Sequence, residues 1–415
     1  MRLFDHQTSA LNETEKFNRV AYYHDMGLGK TYTGAEKMMR LGGNTNLVIC
    51  QKSKIDDWVE HFREHYQIGV FNLTNKRQYE EFFGTVGGFV GVINYDLIFR
   101  RPELLKIHFD TVMLDESSII QNRTSKRSKA ILKLDTENVI LLSGTPTGGK
   151  YEKLWSQLRL LGWNISENTF MNHYVIYHYE DNEGFPIRII DGYKNVDRLK
   201  TKLREHGAHF LKTEDVFDLP EQIHNNIYVK STADYRKFRK DRIVTVDGVE
   251  FVGDTILAKM LYERQLCGFV NKEKLNAFRD IVESTDDRLI VFYNFNAELD
   301  ALVEICSGRP VSIVNGSIKD LSAYEEHDDS ITFIQYQAGA MGLNLQQANK
   351  IVYFTAPLSS ELFEQSKKRI HRIGQSKPCF YYYLICKNSI EEKIYQTLAK
   401  RRDYTDKLFE EEEQR

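Results

Sequence analysis

Short runs of uninterrupted apolar residues alternate with helix-length amphipathic stretches along the first third of the chain. Residues 20–23, 46–50, 89–93, 111–114 and 139–142 have the length and the β-branched and aromatic content of strands. Stretches 54–65 and 125–133 carry a helical period between them. Continuous rather than alternating apolar runs predict strands covered on both faces, hence a parallel sheet with helices on each side. A second set of strands follows at 289–293, 311–314, 331–335, 351–354 and 380–385, with helices at 297–305, 361–370 and 390–404. The stretch 151–285 differs: it favours helices, holds one strand-like run at 223–229, and places Asp247-Gly248 between two β-branched runs, a strong hairpin signal. The expectation is two α/β parallel-sheet lobes in tandem with a helical and β-hairpin insertion between them. Its boundaries are 1–230, 231–285 for the insertion, 286–402, and an acidic tail over 403–415. The insertion fits a structural brace as well as it fits a contact with DNA or a partner.

The loop His24-Asp-Met-Gly-Leu-Gly-Lys30-Thr31 closes the first strand and opens a helix. Glycines at such a junction let backbone N–H groups surround phosphate oxygens at the positive end of the helix dipole. Lys30 then reaches the outer phosphates and the Thr31 hydroxyl assists a Mg²⁺ ion. Asp115-Glu116 ends the fourth apolar run. Alone, the pair reads more readily as a solvated turn; beside a phosphate loop it suits a metal-organising Asp and a water-polarising Glu. Arg369 and Arg372 stand three apart in Gln365-Ser-Lys-Lys-Arg-Ile-His-Arg-Ile-Gly-Gln375 and share a face if that stretch is helical. Arginines brought to a γ-phosphate are worth roughly three to five orders of magnitude in rate.

The bulk properties narrow this little. The 415 residues suffice for two or three cored domains, and 41% hydrophobic with 28% charged content is ordinary for a globular chain. No apolar run nears the roughly 20 residues that span a bilayer, and the N-terminus lacks a signal-peptide core. Five cysteines without a C-x-x-C pair predict buried thiols rather than disulfides or metal ligands. A net charge of −3, with Glu410–Glu413 as an acidic run, excludes a globally basic nucleic-acid coat but not a local groove. A cytoplasmic monomer without a membrane partner is expected, in a bacterial host cell if the chain is phage-encoded.

Taken together, the motifs resemble the Swi/Snf-type ATPases of helicase superfamily two, in their short phage or bacterial form. The resemblance runs from Leu3 to about Arg402. Leu3-Phe-Asp-His-Gln7 is similar to the family's adenine-recognition segment, and Asp25–Thr31 to its phosphate loop. Leu47–Ser53 followed by Trp58, and Val92–Tyr95, resemble motifs that touch the DNA backbone. Asp115–Asn122 resembles the DEAH-type box, and Leu142-Ser-Gly-Thr-Pro146 the motif linking ATP to DNA. Ala338-Gly339 with Gly342–Leu345, then Gln365–Gln375 and Glu391–Ile394, match motifs of the second lobe. Three positions depart from the pattern: Gln51 replaces a proline, Ser118 the box histidine, and Gln335 a small hydroxyl residue. With Ser118 there, the link from the metal site to the third motif must be made differently.

The resemblance implies two RecA-like lobes with ATP bound between them. Lys30, Asp115, Glu116, Gln365, Arg369 and Arg372 are then catalytic, and Gln7, Met26, Gly27, Leu28, Gly29, Lys30 and Thr31 contact the nucleotide. Thr31 and Asp115 hold Mg²⁺. Lys52, Ser53, Tyr95, Gln121, Asn122, Arg123, Gly339 and Asn344 contact double-stranded DNA through its backbone, without reading sequence, and Lys126, Arg127 and Lys129 add a basic strip. The implied activity is ATP-driven translocation on duplex DNA that remodels it or displaces bound protein, with any recruiting protein unidentified. A strand-separating helicase and an ATP-gated protein-interaction module are the alternatives.

Overall fold

The computed structural model describes residues 2–85, 87–182, 185–339 and 343–409. The chain forms two compact units, one from Met1–Val216 with Asp403–Arg415, the other from Phe217–Arg402.

In the first unit the apolar runs become β1 (Arg19–His24), β2 (Thr45–Cys50), β3 (Gly69–Asn72), β4 (Phe89–Asn94), β5 (His108–Asp115) and β6 (Asp135–Leu142). A hairpin of β7 (Val175–Asn182) and β8 (Phe185–Tyr193) follows, then β9 (Ala208–Leu211). The sheet order is β3-β4-β2-β5-β6-β1-β9, every neighbour parallel. β1, β2 and β4 are buried almost end to end, as strands covered on both faces must be. Leu47, Ile49, Leu114 and Leu141 face one apolar core; Val48, Met113, Ile140 and Leu142 face the other. The pleat thus supplies both cores from the same strands.

The second unit holds β10 (Gln222–Val229), the hairpin β11 (Ile243–Val246) and β12 (Val249–Val252), β13 (Leu289–Tyr293), β14 (Val311–Val314), β15 (Lys319–Asp320), β16 (Ile331–Gln335), β17 (Lys350–Tyr353) and β18 (Cys379–Cys386). Its sheet runs β10-β18-β17-β13-β16-β14-β15, parallel except where β15 turns back along β14. The expected turn appears at Asp247-Gly248, with φ of 49° and 81° and Val246 opposite Val249. Tyr381-Tyr382-Tyr383 lies within β18, where Tyr381 and Tyr383 are buried and Tyr383 stacks on Tyr353 at 5.1 Å.

Three features differ from the sequence expectation. β10, assigned to the first lobe by position, pairs along its whole length with β18, because Ile227 joins the second unit's core. The β7–β8 hairpin was not foreseen. Its Tyr177 and Tyr179 rings take the Arg188 guanidinium at 4.7 and 5.7 Å, a cross-strand arrangement that single-strand periodicity does not reveal. Residues 403–409, counted in an acidic tail, continue the helix Ile390–Phe409. Tyr404 packs on Tyr193 at 4.7 Å and accepts the Tyr151 hydroxyl at its carbonyl. Glu410–Glu413 lie outside the described residues.

All five cysteines are buried free thiols, and burial pushes Cys306 up to about 12 and Cys379 to about 11. Among the described residues no helix is long and apolar enough to cross a membrane.

Glu298 is fully buried in the second unit. Its Oε2 accepts the N–H groups of Asn294 (2.8 Å) and Phe295 (3.2 Å) and the Thr355 hydroxyl (3.0 Å). Burial outweighs these bonds and raises its pKa from 4.5 to about 7. Between those values the folded chain keeps a proton that the unfolded chain has lost. Stability from this group is therefore full below about pH 4.5 and falls as pH rises through about 7, by about 3 kcal/mol in all. Glu298→Gln should flatten that decline. Urea titrations of both proteins at pH 5 and pH 8 measure it, and equal slopes would contradict the assignment.

Candidate functional site

Three neighbouring strands of the first sheet, β5, β6 and β1, end at one edge. Their register places Asp115 opposite Leu142 and Leu142 opposite Tyr22. The acid pair, the Ser143–Pro146 loop and the phosphate loop therefore leave the sheet side by side, at the carboxyl edge where parallel sheets take ligands.

After β1 the chain turns through Asp25–Gly29 into the helix Lys30–Leu41. Gly29 has φ +69°, and a Cβ there would stand 2.3 Å from Nε2 of Gln7. Gln7, 2% exposed, donates that amide to the carbonyls of Leu28 (3.3 Å) and Gly29 (3.1 Å), while its Oε1 accepts the Phe4 N–H at 2.9 Å. The residue expected at an adenine edge thus braces the loop directly. Lys30 Nζ donates to the carbonyls of His24 (2.8 Å) and Asp25 (3.0 Å) and lies beside Gly144 of the neighbouring loop. Thr213, just past β9, was not singled out from sequence. Its N–H donates to Asp25 Oδ2 at 3.1 Å and its hydroxyl lies 3.3 Å from the Met26 carbonyl.

Asp115 Oδ2 accepts the Trp58 indole N–H at 2.9 Å, and its carbonyl accepts the Tyr95 hydroxyl at 2.8 Å. Burial pulls the Asp115 carboxyl above the ordinary range, opposed by the Trp58 bond and the Lys30 charge. A carboxylate and a hydroxyl are the hard oxygen donors that Mg²⁺ prefers, so Asp115 and Thr31 fit that ion by their chemistry. Glu116 has φ 54° and ψ 59°, a left-handed conformation costing a non-glycine residue on the order of 1–3 kcal/mol. It turns the chain sharply into the 3₁₀ turn Ser117–Ile120.

Behind these segments lies Gln157, fully buried. Its Oε1 accepts the hydroxyls of Ser117 (2.8 Å) and Tyr23 (3.0 Å), and its Nε2 donates to the Pro146 carbonyl at 2.7 Å. The one sequence signal for it was a glutamine inside the apolar run Leu154-Trp-Ser-Gln-Leu-Arg-Leu-Leu161.

In the second unit the helix expected over 361–370 spans Ser360–Lys367 only. Arg369 and Arg372 follow it in turns, so they do not share a helix face. They converge by another route: Arg369 Nη1 donates to the Leu343 carbonyl at 3.4 Å and Arg372 Nη1 to Asn344 Oδ1. Gln365 is buried on the helix, 3.5 Å from Glu361. Gln335 donates to the Asn294 carbonyl at 3.0 Å.

The residues expected along DNA are placed unevenly. Lys52 and Ser53 are exposed on the short turn Lys52–Lys54 after β2. Asn122 and Arg123 are exposed and Gln121 half-buried, with Arg123 paired to Glu167 at 2.6 Å. In the basic strip, Lys126 and Lys129 are exposed and Arg127 lies 3.4 Å from Asp96. Asn344 is exposed and engaged by Arg372. Tyr95 is a correction: at 3% exposure, with its hydroxyl bound to Asp115, it supports the acid pair and offers no surface to a DNA backbone. Gly339 closes the helix Tyr336–Gly339, and Gly342 lies outside the described residues.

Residues 16–273 match the model of the SNF2-related domain and residues 273–374 that of the helicase conserved C-terminal domain. The chain belongs to the SNF2-related family of helicase-like ATPases. It is 22% identical to the putative ATP-dependent helicase/translocase YwqA of Bacillus subtilis, over 94% of this chain and 46% of that protein. It is 23% identical to the ISWI chromatin-remodeling complex ATPase ISW1 of Saccharomyces cerevisiae, over 90% of this chain and 37% of that one. The chain thus spans less than half the length of these curated relatives. A solved structure, the Sulfolobus solfataricus SWI2/SNF2 ATPase core in complex with dsDNA, aligns over 98% of this chain and 92% of its own, with 20% identity and a TM-score of 0.45.

Gly29→Ala should strain the loop twice, through its backbone angle and through Gln7. A loss of about 1–3 kcal/mol is expected in chemical denaturation of the first unit; an unchanged midpoint would contradict the tight Gln7 contact.

Proposed function

We propose that this chain is an ATP-driven, DNA-stimulated motor that moves on double-stranded DNA. The observation that supports the reading is the shared carboxyl edge of β5, β6 and β1, where the segments carrying Lys30, Thr31, Asp115 and Glu116 leave the sheet side by side. The amides at the start of the helix Lys30–Leu41 and the Lys30 ammonium bind the triphosphate, with Lys30 released from the His24 and Asp25 carbonyls. Thr31 and Asp115 would hold Mg²⁺, which neutralises charge on the phosphate oxygens. Glu116 takes a proton from the attacking water. The left-handed turn at Glu116 sets the direction of its side chain independently of Asp115. Arg369 and Arg372 stabilise the charge that develops on the transferred phosphoryl group, a role drawn from the signature they occupy. Gln365 orients that segment.

DNA contact by Lys52, Ser53, Gln121, Asn122, Arg123, Gly339 and Asn344 is part of the same proposal. These groups suit phosphate oxygens and not base edges, so recognition independent of sequence follows. Few cations are involved, and affinity should fall with salt at a modest slope.

ATP hydrolysis with no nucleic acid, duplex DNA, single-stranded DNA and RNA tests the reading. Duplex DNA should stimulate the rate most, while Lys30→Ala, Glu116→Gln and Arg369→Ala each lower kcat by two orders of magnitude or more. A rate indifferent to every nucleic acid would overturn the motor; greatest stimulation by single strands would favour an unwinding enzyme.

Burial raises the Asp115 pKa and the Trp58 bond opposes that rise. Trp58→Phe removes the bond, so without bound Mg²⁺ the Asp115 carboxyl, followed by NMR, should titrate at higher pH. An unmoved titration would contradict that part for Trp58.

A further inference from the structure

Gln157 joins three segments that strand topology alone leaves as separate loops. Ser117 follows Glu116 directly, Tyr23 precedes the phosphate loop, and Pro146 closes the Ser143–Pro146 loop. All three meet on one carboxamide, at 2.8, 3.0 and 2.7 Å. The amide is planar and its helix, Trp155–Leu160, is packed in the core through Leu158. The Pro146 carbonyl and the Ser117 hydroxyl are thus bonded to the two ends of one planar amide. Both polar atoms of the amide are engaged, the oxygen by two hydroxyls and the nitrogen by a carbonyl, in a place where an unmet polar group is costly. Ser118 stands where the family's box carries histidine, so the connection between the acid box and the third motif has to run through other atoms.

We propose that Gln157 is the positioning residue that couples the Ser143–Pro146 loop to Glu116, replacing the missing histidine by a Ser117–Gln157–Pro146 bridge. The inference rests on the hydrolysis reading above and assigns its internal coupling. Gln157 touches no reacting atom. It sets where Glu116 stands when the neighbouring loop shifts.

Gln157→Glu keeps size and the acceptor for both hydroxyls, and once ionised, above the pKa of its buried carboxyl, it has no donor for Pro146. At saturating duplex DNA its kcat should fall at least tenfold with the KM for ATP within twofold. Ser117→Ala breaks the other end of the bridge, and the double variant should be no slower than Gln157→Glu alone within twofold. Tyr23→Phe leaves the bridge intact and should retain kcat. Losses that multiply in the double variant, or a Gln157→Glu kcat within twofold of wild type, would overturn the proposal. Amide exchange gives a reading independent of turnover. In Gln157→Glu, Gly144, Thr145 and Thr147 should exchange about tenfold faster, together with Ser117 and Ser118, while β2 and β4 stay unchanged. Unchanged exchange in both segments, or faster exchange throughout the unit, would equally defeat it. A wild-type chain without ATPase would defeat only the hydrolysis reading, and the exchange data would then decide the bridge.

Discussion

Strands buried on both faces can carry polar chemistry only where they end. In the first unit the polar groups follow this rule: β1 ends in His24, β5 in Asp115, and β6 passes from Leu142 straight to Ser143. Because β6 lies between the other two, three tips emerge about one strand spacing apart, roughly 4.8 Å. A slip of one residue would exchange the two core faces of a strand and move its tip, so the register is held by the same apolar residues that fill the cores. The grouping of these tips is a consequence of the core and not an addition to it.

Beyond the strand tips, precision comes from side chains that satisfy backbone groups. Gln7 closes the phosphate loop, Thr213 ties its start, Tyr95 fixes the Asp115 carbonyl and Trp58 the Asp115 carboxylate. At the far edge of the sheet Arg19 does the same for Leu160 and Thr136, each at 2.7 Å. The second unit repeats the device with a buried ion pair, Lys274 to Glu391 at 2.6 Å, whose carboxylate also accepts the Cys386 N–H. Such pairs are costly to break and give uniqueness more than net stability. The strain at Glu116 persists because the residues on either side of it are so fully held.

Much of this was legible in the chain. Short continuous apolar runs rich in β-branched and aromatic residues point to parallel strands, and ten of the sheet strands were placed by them. Local motifs pointed to Lys30, Asp115 and Glu116, and the strand order brings the segments that carry them to one edge of the sheet. What escaped was set by distance. β10 has a strand's pattern, but pattern does not say which sheet it joins. Helical spacing suggested a common face for Arg369 and Arg372, yet the helix stops at Lys367 and the arginines reach Leu343 and Asn344 across a turn. Tyr95 looked like a surface residue within a backbone-contact motif and proved to be a buried prop. Gln157 had no readable role, since its three partners come from positions 23, 117 and 146.

The buried thiols carry a consequence of their own. A buried thiol is out of reach of alkylating reagents until the surrounding structure opens. Cys50 lies in the first unit and Cys267, Cys306, Cys379 and Cys386 in the second. The chain therefore carries its own reporters of local opening, one on the phosphate-loop side and four on the arginine side. The time course of their modification separates the breathing of one unit from that of the other without any introduced label.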